Sequence, residues 1–295
     1  MPDSTNDLSR RTFLASAGSA AVVGAALGAP ALAQEPKLKA LRVIAYNVYQ
    51  CTGWPKDRAL GKKATALGQM PARFAYELAL YEPDIVNFSE SPSEQVVQEI
   101  AERLEMHYVR FPSGGNWPGT LLSRFKIEDA KTAPVVGGAR PQELFTRHWG
   151  HATVQLPGGD SLLVHSAHLH PSDEKVRLRE IEAMLAAMRA DLAAGRSMLL
   201  MGDLNHRPLP PEYPLWTKAG WVDTFAQVGV GEGLTIKSDT PASRIDFVLA
   251  AGPIAAQVRE ALPLFEGAFR VNTADEQSFA LSDHLPQLAV FDLTK

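Results

Sequence analysis

One plan runs twice along this chain: an apolar strand closing on a polar residue, a helix, then a second apolar strand closing on an acid. Leu41 to Val48 (L-R-V-I-A-Y-N-V) carries Asn47 near its end, and Asp84 to Ser89 (D-I-V-N-F-S) runs into Glu90. Ser161 to Leu169 carries His168, and Ser197 to Met201 runs into Asp203. Short apolar runs bounded by turn residues read as buried strands, and strands alternating with helices read as an α/β fold. Chemistry in such folds collects at the carboxyl ends of strands. Two packed sheets with outer helices would therefore carry the polar strand ends of both halves to one rim.

The intervening pattern fills in this frame. Ala72 to Tyr81 reads as a helix, and Ser93 to Leu104 as an amphipathic one with Val96, Val97, Ile100 and Leu104 on one face and Ser93 as its cap. Short strands are expected around Tyr108 and from Thr120 to Ser123. His151 to Leu156 and Ser161 to Leu169 form a hairpin about Pro157-Gly158-Gly159, followed by a helix from Asp173 to Leu192. Arg244-Ile245-Asp246-Phe247 leads another apolar strand. Val48 to Met70 reads as a long loop, basic and aromatic in character, holding Cys51, Trp54, Lys56, Arg58, Lys62 and Lys63. A second such loop, Pro112 to Pro118, holds Trp117. Each is either a substrate grip or a solvated excursion.

With 295 residues, 45% of them hydrophobic, the chain supports a substantial core, which excludes disordered and fibrous classes. No low-complexity linker divides it, so residues 34–295 read as one domain. Lys and Arg number 29 against 33 Asp and Glu, a net charge of −4, so no global basic field marks a polyanion partner. Cys51 is the only cysteine. An internal disulfide and a cysteine-rich zinc site are thus excluded, and any metal must be held by oxygen or imidazole.

The amino terminus stands apart. Ser9-Arg10-Arg11-Thr12-Phe13-Leu14 precedes an uncharged run from Phe13 to Ala33 that ends in Ala31-Leu32-Ala33. This resembles a twin-arginine export signal with an A-x-A cleavage pattern, and its many Gly and Ala residues with Pro30 argue against a stable membrane anchor. Residues 1–33 are therefore expected to be a cleaved leader. The twin-arginine export machinery would be a partner, the mature protein periplasmic or secreted, with no stable membrane insertion after processing.

Three short motifs carry candidate chemistry. In Gly202-Asp203-Leu204-Asn205 a carboxylate and a carboxamide leave a strand end, where they can orient and deprotonate a water while hydrogen bonding a phosphoryl oxygen. Alone, the same residues serve a turn equally well. Ser282-Asp283-His284 sets a hard oxygen ligand beside an imidazole, and Asp246 can hold a histidine in one tautomer. Both are also compatible with surface salt bridges. Glu90 can donate an oxygen to Mg²⁺, which takes one or two carboxylates, waters and substrate phosphate.

Taken in order, Asn47, Glu90, Gly119 with Ser123-Arg124, Ala167-His168-Leu169, Gly202-Asp203-Leu204-Asn205, Arg244-Ile245-Asp246 and Ser282-Asp283-His284 resemble the endonuclease/exonuclease/phosphatase superfamily across essentially the whole mature chain. The resemblance implies a four-layered α/β sandwich, two packed mixed sheets flanked by helices, that hydrolyses a phosphoester with activated water and a divalent metal. On it, Glu90 is the principal Mg²⁺ ligand, Asn47 contacts metal or phosphate, and Asp283 adds a direct or water-mediated contact. Mn²⁺ or Ca²⁺ would serve as alternatives. Asp203 orients and deprotonates the water, Asn205 positions the phosphate, and His284, oriented by Asp246, stabilises charge on a phosphate oxygen. His168 takes the position shared by the deoxyribonuclease and sphingomyelinase branches, facing the phosphate from the other side.

Three departures are visible. Tyr49 stands where some relatives carry a further acidic metal ligand, Asn87-Phe88-Ser89 is more polar than usual, and His170 replaces an acid found in many relatives. A zinc reading of His165, His168 and His170 lacks the further histidine it needs, and His165 reads as a core histidine. His206 and Arg207 are either substrate contacts or a solvated loop. A phosphodiesterase or nuclease, acting on nucleic acid or a nucleotide, is the first reading. A phosphomonoesterase or a sphingomyelinase-like phospholipase is the alternative, and an inactive binding protein is the alternative of another class. The last is opposed by the presence of all eight residues, Asn47, Glu90, His168, Asp203, Asn205, Asp246, Asp283 and His284.

Overall fold

Alternation along β1 (Ala40–Asn47) decides how the layers stack. Leu41, Val43 and Ala45 face an apolar interior between two sheets, whereas Ile44 and Tyr46 face the other way and pack under helices. Successive strand side chains point to opposite faces, so Asn47 falls at the end of the interior row. The computed structural model describes residues 37–133 and 143–294, which belong to one compact unit. The expected leader, residues 1–33, lies outside the described residues.

Eleven further strands follow among the described residues. They are β2 (Ile85–Ser89), β3 (His107–Phe111), β4 (Gly119–Ser123), β5 (Ile127–Thr132), β6 (His148–Gln155), β7 (Ser161–His168), β8 (Met198–Asp203), β9 (Val222–Asp223), β10 (Asp246–Ala251), β11 (Val258–Pro263) and β12 (Gln287–Asp292). The first sheet has the order β11-β12-β1-β2-β4-β3 and the second β5-β6-β7-β8-β10-β9. Both are mixed, with β1–β2 and β7–β8 parallel and the neighbours of each antiparallel.

Helices complete the outer layers. The first sheet is covered by α1 (Ala59–Ala66), α2 (Met70–Ala79) and α3 (Glu94–Leu104), whose Phe74, Leu78 and Ile100 pack with Tyr46 and Phe88. The second is covered by α4 (Glu174–Ala193) and α5 (Tyr213–Lys218), which set Ile181, Met184, Met188 and Trp216 against Leu163, Leu200 and Leu249. The short α6 (Thr224–Val228) sends Phe225 into the interior. The result is the expected four-layered α/β sandwich. Each fully buried Leu, Val or Phe of these layers contributes roughly 1.5–3 kcal/mol, so the sandwich interior is what keeps the rim rigid.

Several local expectations are corrected. Val48 to Met70 is not a continuous loop: Tyr49–Cys51 forms a tight turn and α1 follows, burying Gly61 and Ala64. The small residues of A-L-G-K-K-A-T-A hide the amphipathic period there. Ser93 occupies the N-cap position of α3 but its side chain makes no capping bond, while Asp173 does cap α4, accepting from Lys175 N and Val176 N. The first strand of the hairpin begins at His148, not His151, because its polar opening residues pair with His168 and the residues before it.

Candidate active site

The register of the second sheet lines up four polar side chains. His148 lies opposite His168, His168 opposite Asp203, and Asp203 opposite Asp246. Each terminates an interior-facing row: Ala152 and Val154 lead to His148, Val164 and Leu162 to His168, Leu199 and Met201 to Asp203, and Val248 and Ala250 to Asp246. The first sheet contributes Asn47 from β1 and, just before β12, Ser282-Asp283-His284. Asn47, His148, His168, Asp203, Asp246 and His284 are all buried. The apolar interior thus ends in a polar cluster at one rim.

Two glycines make this close approach possible. At Gly119 a Cβ would fall 2.0 Å from Nε2 of His148, so the β4 residue must be glycine for that ring to sit where it does. At Gly202, with φ of +145°, a Cβ would fall 1.9 Å from the Ala167 carbonyl oxygen.

Asp203 is the hub. Its Oδ2 accepts from Asn47 Nδ2 at 3.0 Å and lies 3.5 Å from His168 Nε2 and 3.8 Å from His284 Nε2. Its Oδ1 accepts from the Asn205 backbone N–H at 3.0 Å. Asn205 is held in the left-handed region (φ +52°) with its side chain donating to Leu169 O, which turns the chain back over the site. Burial, then the charge of Asp246, pushes the Asp203 carboxyl up, while His284, Asn47 and Asn205 N–H pull it back.

His284 shows the opposite balance. Burial alone would keep it neutral, but Asp246, whose Oδ2 is 2.8 Å from Nδ1, together with Asp203 and Asp283, raises it to about 10. His168, by contrast, is held well below its usual value by burial, then by His148 and Arg147. The two imidazoles flanking Asp203 therefore differ in charge, one a cation and one neutral.

Glu90 sits at the edge of this group, beside Asn47. It follows β2 with φ of +51°, a left-handed turn that a glutamate adopts at a cost, and its Oε2 is buried without a hydrogen-bond partner. Burial raises its carboxyl; Asn47 and His284 act against that, and Asp283 adds to it. A buried carboxylate oxygen without a donor, beside a carboxamide and a second carboxylate, fits a hard divalent cation. Asp203, Asp246 and His284 also offer ligand atoms within 4.8 Å of one another. Among these, however, Asp246 Oδ2 is committed to His284.

The eight residues read from the sequence thus stand at one rim. The other candidates do not join them. His165 faces the helical side, where Trp149 Nε1 lies 3.4 Å from its Nδ1. His170 Nδ1 accepts from Asp173 N in a loop. His206 is buried against Trp216, whose Nε1 donates to it at 3.1 Å, and shares with Arg207 an open cleft that reaches the site only at Asn205. Two residues escaped the sequence reading. His148 hid in a hairpin strand predicted to start later, with only its i, i+2 spacing to Gly150 and Ala152 as a signal. Arg147 precedes it, close enough for its charge to act on both Glu90 and His168. No motif marks it.

The sequence matches the Endonuclease/Exonuclease/phosphatase family over residues 44–284. The chain belongs to that family. Members of the endonuclease/exonuclease/phosphatase family are hydrolases acting on phosphoesters and generally use divalent metals, in keeping with the donors gathered here. Solved structures share its fold at low identity. An endonuclease/exonuclease/phosphatase from Bacteroides vulgatus is 18% identical with a TM-score of 0.67, covering 86% of this chain and 99% of that one. A mannosyl-6-phosphatase of Bacteroides thetaiotaomicron is 17% identical with a TM-score of 0.65, covering 84% and 98%. An AP endonuclease of Archaeoglobus fulgidus is 16% identical with a TM-score of 0.60, covering 86% and 100%. No curated protein sequence matches this chain.

Proposed function

We propose that this chain is a Mg²⁺-dependent phosphodiesterase that attacks phosphorus with a water activated by Asp203. The observation that carries the reading is the convergence of Asn47, His168 and His284 on Asp203, beside a Glu90 carboxylate oxygen that no protein donor satisfies. Glu90, Asn47 and Asp283 would hold the cation, which when bound supplies Lewis-acid polarisation of the phosphoryl group. Mn²⁺ or Ca²⁺ would compete for the same oxygens.

The chain's own residues supply the rest. Asp203 is fixed by Asn47 and Asn205 N–H so that one oxygen faces the His168 and His284 side, where it takes the proton of the water as the oxygen–phosphorus bond forms and the ester bond breaks. The His284 imidazolium, locked by Asp246, balances negative charge on the phosphoryl oxygens, and neutral His168 offers a hydrogen bond opposite it. The mannosyl-6-phosphatase neighbour makes a monoesterase the second reading. Turnover of bis(p-nitrophenyl) phosphate and of p-nitrophenyl phosphate by the leaderless protein, with Mg²⁺ and then EDTA, separates the two. The diester is expected to be the better substrate, and no turnover with any divalent metal would sink both.

The Arg10-Arg11 pair and the uncharged run to Ala33 support export in folded form to the periplasm or beyond. Changing both arginines to lysine is expected to leave the protein in the cytoplasmic fraction of its host, and unchanged export would reject the leader.

A further inference from the structure

Beside Glu90 lies a cavity of about 450 Å³ lined by Tyr49, Gln50, Lys56, Lys62 and Trp117 among others. That volume is within the range of small-molecule sites. Glu90, the proposed metal ligand, is part of its lining, so a group attached to the reacting phosphate on this side can reach it. We infer that the cavity is a substrate subsite for a flat ring accompanied by a further negative charge, as in the base and second phosphate of a nucleoside bisphosphate. The inference rests on the phosphodiesterase reading of the neighbouring site.

Charge and shape both support it. Lys56 and Lys62 are the cations of the lining, and Glu90 is its single acid. Lys56 Nζ rests 4.7 Å from the centroid of the Tyr49 ring, and Arg147 lies 5.2 Å from that of Trp117, so both rings stand in a positive field. An anion is attracted there and a quaternary ammonium headgroup, which would seek the same ring faces, is repelled. Tyr49 and Trp117 put two aromatic side chains in one lining, which suits a base, since base stacking on aromatic side chains is tolerant of sequence.

The backbone is built to hold these walls. Tyr49, Gln50 and Cys51 all adopt positive φ (+48°, +53° and +56°), three consecutive left-handed residues, none of them glycine. The turn is pinned by Tyr49 N to Asn47 Oδ1 (3.1 Å), Gln50 N to Glu90 O (2.9 Å) and burial of Cys51 in the outer core. Gln50 Nε2 then donates to Asn116 O at 3.3 Å, joining the Tyr49 loop to the Trp117 loop. These bonds hold Tyr49 in the lining of the cavity with Glu90.

The experiment compares two p-nitrophenyl diesters with the same leaving group: the 5′-(p-nitrophenyl) ester of thymidine 3′,5′-bisphosphate, and methyl p-nitrophenyl phosphate, whose other arm carries neither ring nor second charge. The unmodified protein is expected to prefer the first in kcat/KM. Trp117→Ala should lower that preference by about tenfold, and Lys56→Ala or Lys62→Ala by about threefold, through KM. Variants that slow both substrates alike, or a protein without preference, would overturn the subsite. Calorimetric titration with thymidine 3′,5′-bisphosphate in EDTA tests it without turnover: binding weakened in Lys62→Ala supports it, and absence of binding overturns it. Failure of the catalytic reading shows instead as no hydrolysis of either diester.

Discussion

Two buried histidines of the second sheet's surroundings meet opposite fates. His284, at the inner rim, touches Asp246 and faces Asp203 and Asp283, and is raised to about 10. His165, in β7 but on the outer face, packs among Trp149, His151 and Trp221 and is lowered by burial, then by His151 and Arg196, to about 3. Both are buried, so desolvation pushes both towards neutrality; the carboxylates decide which one carries charge. Burial by itself therefore does not set a histidine's charge. What sets it is a buried acid on the same side of the sheet.

The sharpest way to break this contrast is to remove the acid at its centre. Asp203→Asn is expected to lower kcat on bis(p-nitrophenyl) phosphate by about 10²- to 10⁴-fold, because the base is lost while the hydrogen bonds from Asn47 and Asn205 lose only charge assistance. Circular dichroism should show the fold intact, and unchanged kcat would reject Asp203 as base. A smaller loss, about 10- to 100-fold, is expected for Asp246→Asn, which leaves the His284 ring in place without a full negative partner. The His284 proton resonances should then titrate below the position they hold in the unmodified protein. Gly119→Ala tests the seat of the rim rather than its charge. Its methyl would meet the His148 ring, costing about 1–3 kcal/mol of stability by urea unfolding.

The outer face gives the gentlest test. His165 has a native pKa below its unfolded value of 6.5, so the unfolded chain binds a proton first and stability present above that pH drains away as the pH falls towards 3. The loss from this group alone reaches roughly 1.4 kcal/mol one pH unit below the unfolded pKa. His206, lowered to about 4 by burial, adds a similar slope. Urea midpoints measured between pH 7 and pH 5 should thus fall less steeply in His165→Gln than in the unmodified protein, and parallel curves would reject the assignment.

Much of this was legible in the chain because it rests on local periodicity. The apolar rows of β1, β2, β7 and β8 end in Asn47, Glu90, His168 and Asp203, and a strand's alternation needs no tertiary information to be read. Helix α1 was missed because Gly61, Ala64 and Ala66 give too weak an apolar stripe, and β11 and β12 because β12 pairs with the distant β1 and β11 with β12 across a long connection. Arg147 and His148 were missed for a related reason: their partners, Glu90, Trp117 and His168, come from three other segments.

The sequence alone determined the α/β class, the polar residues that close its strands, and the order in which they occur, since each follows from residue type at a fixed spacing. Only the tertiary structure decided which of those residues meet. Strand register placed His148, His168, Asp203 and Asp246 in one row, and the packing of the second sheet against the first brought Asn47, Glu90 and His284 across to them. It likewise decided charge, because a histidine's protonation depends on the acids within a few ångströms of its ring, and distance in space is set by register and packing rather than by position along the chain.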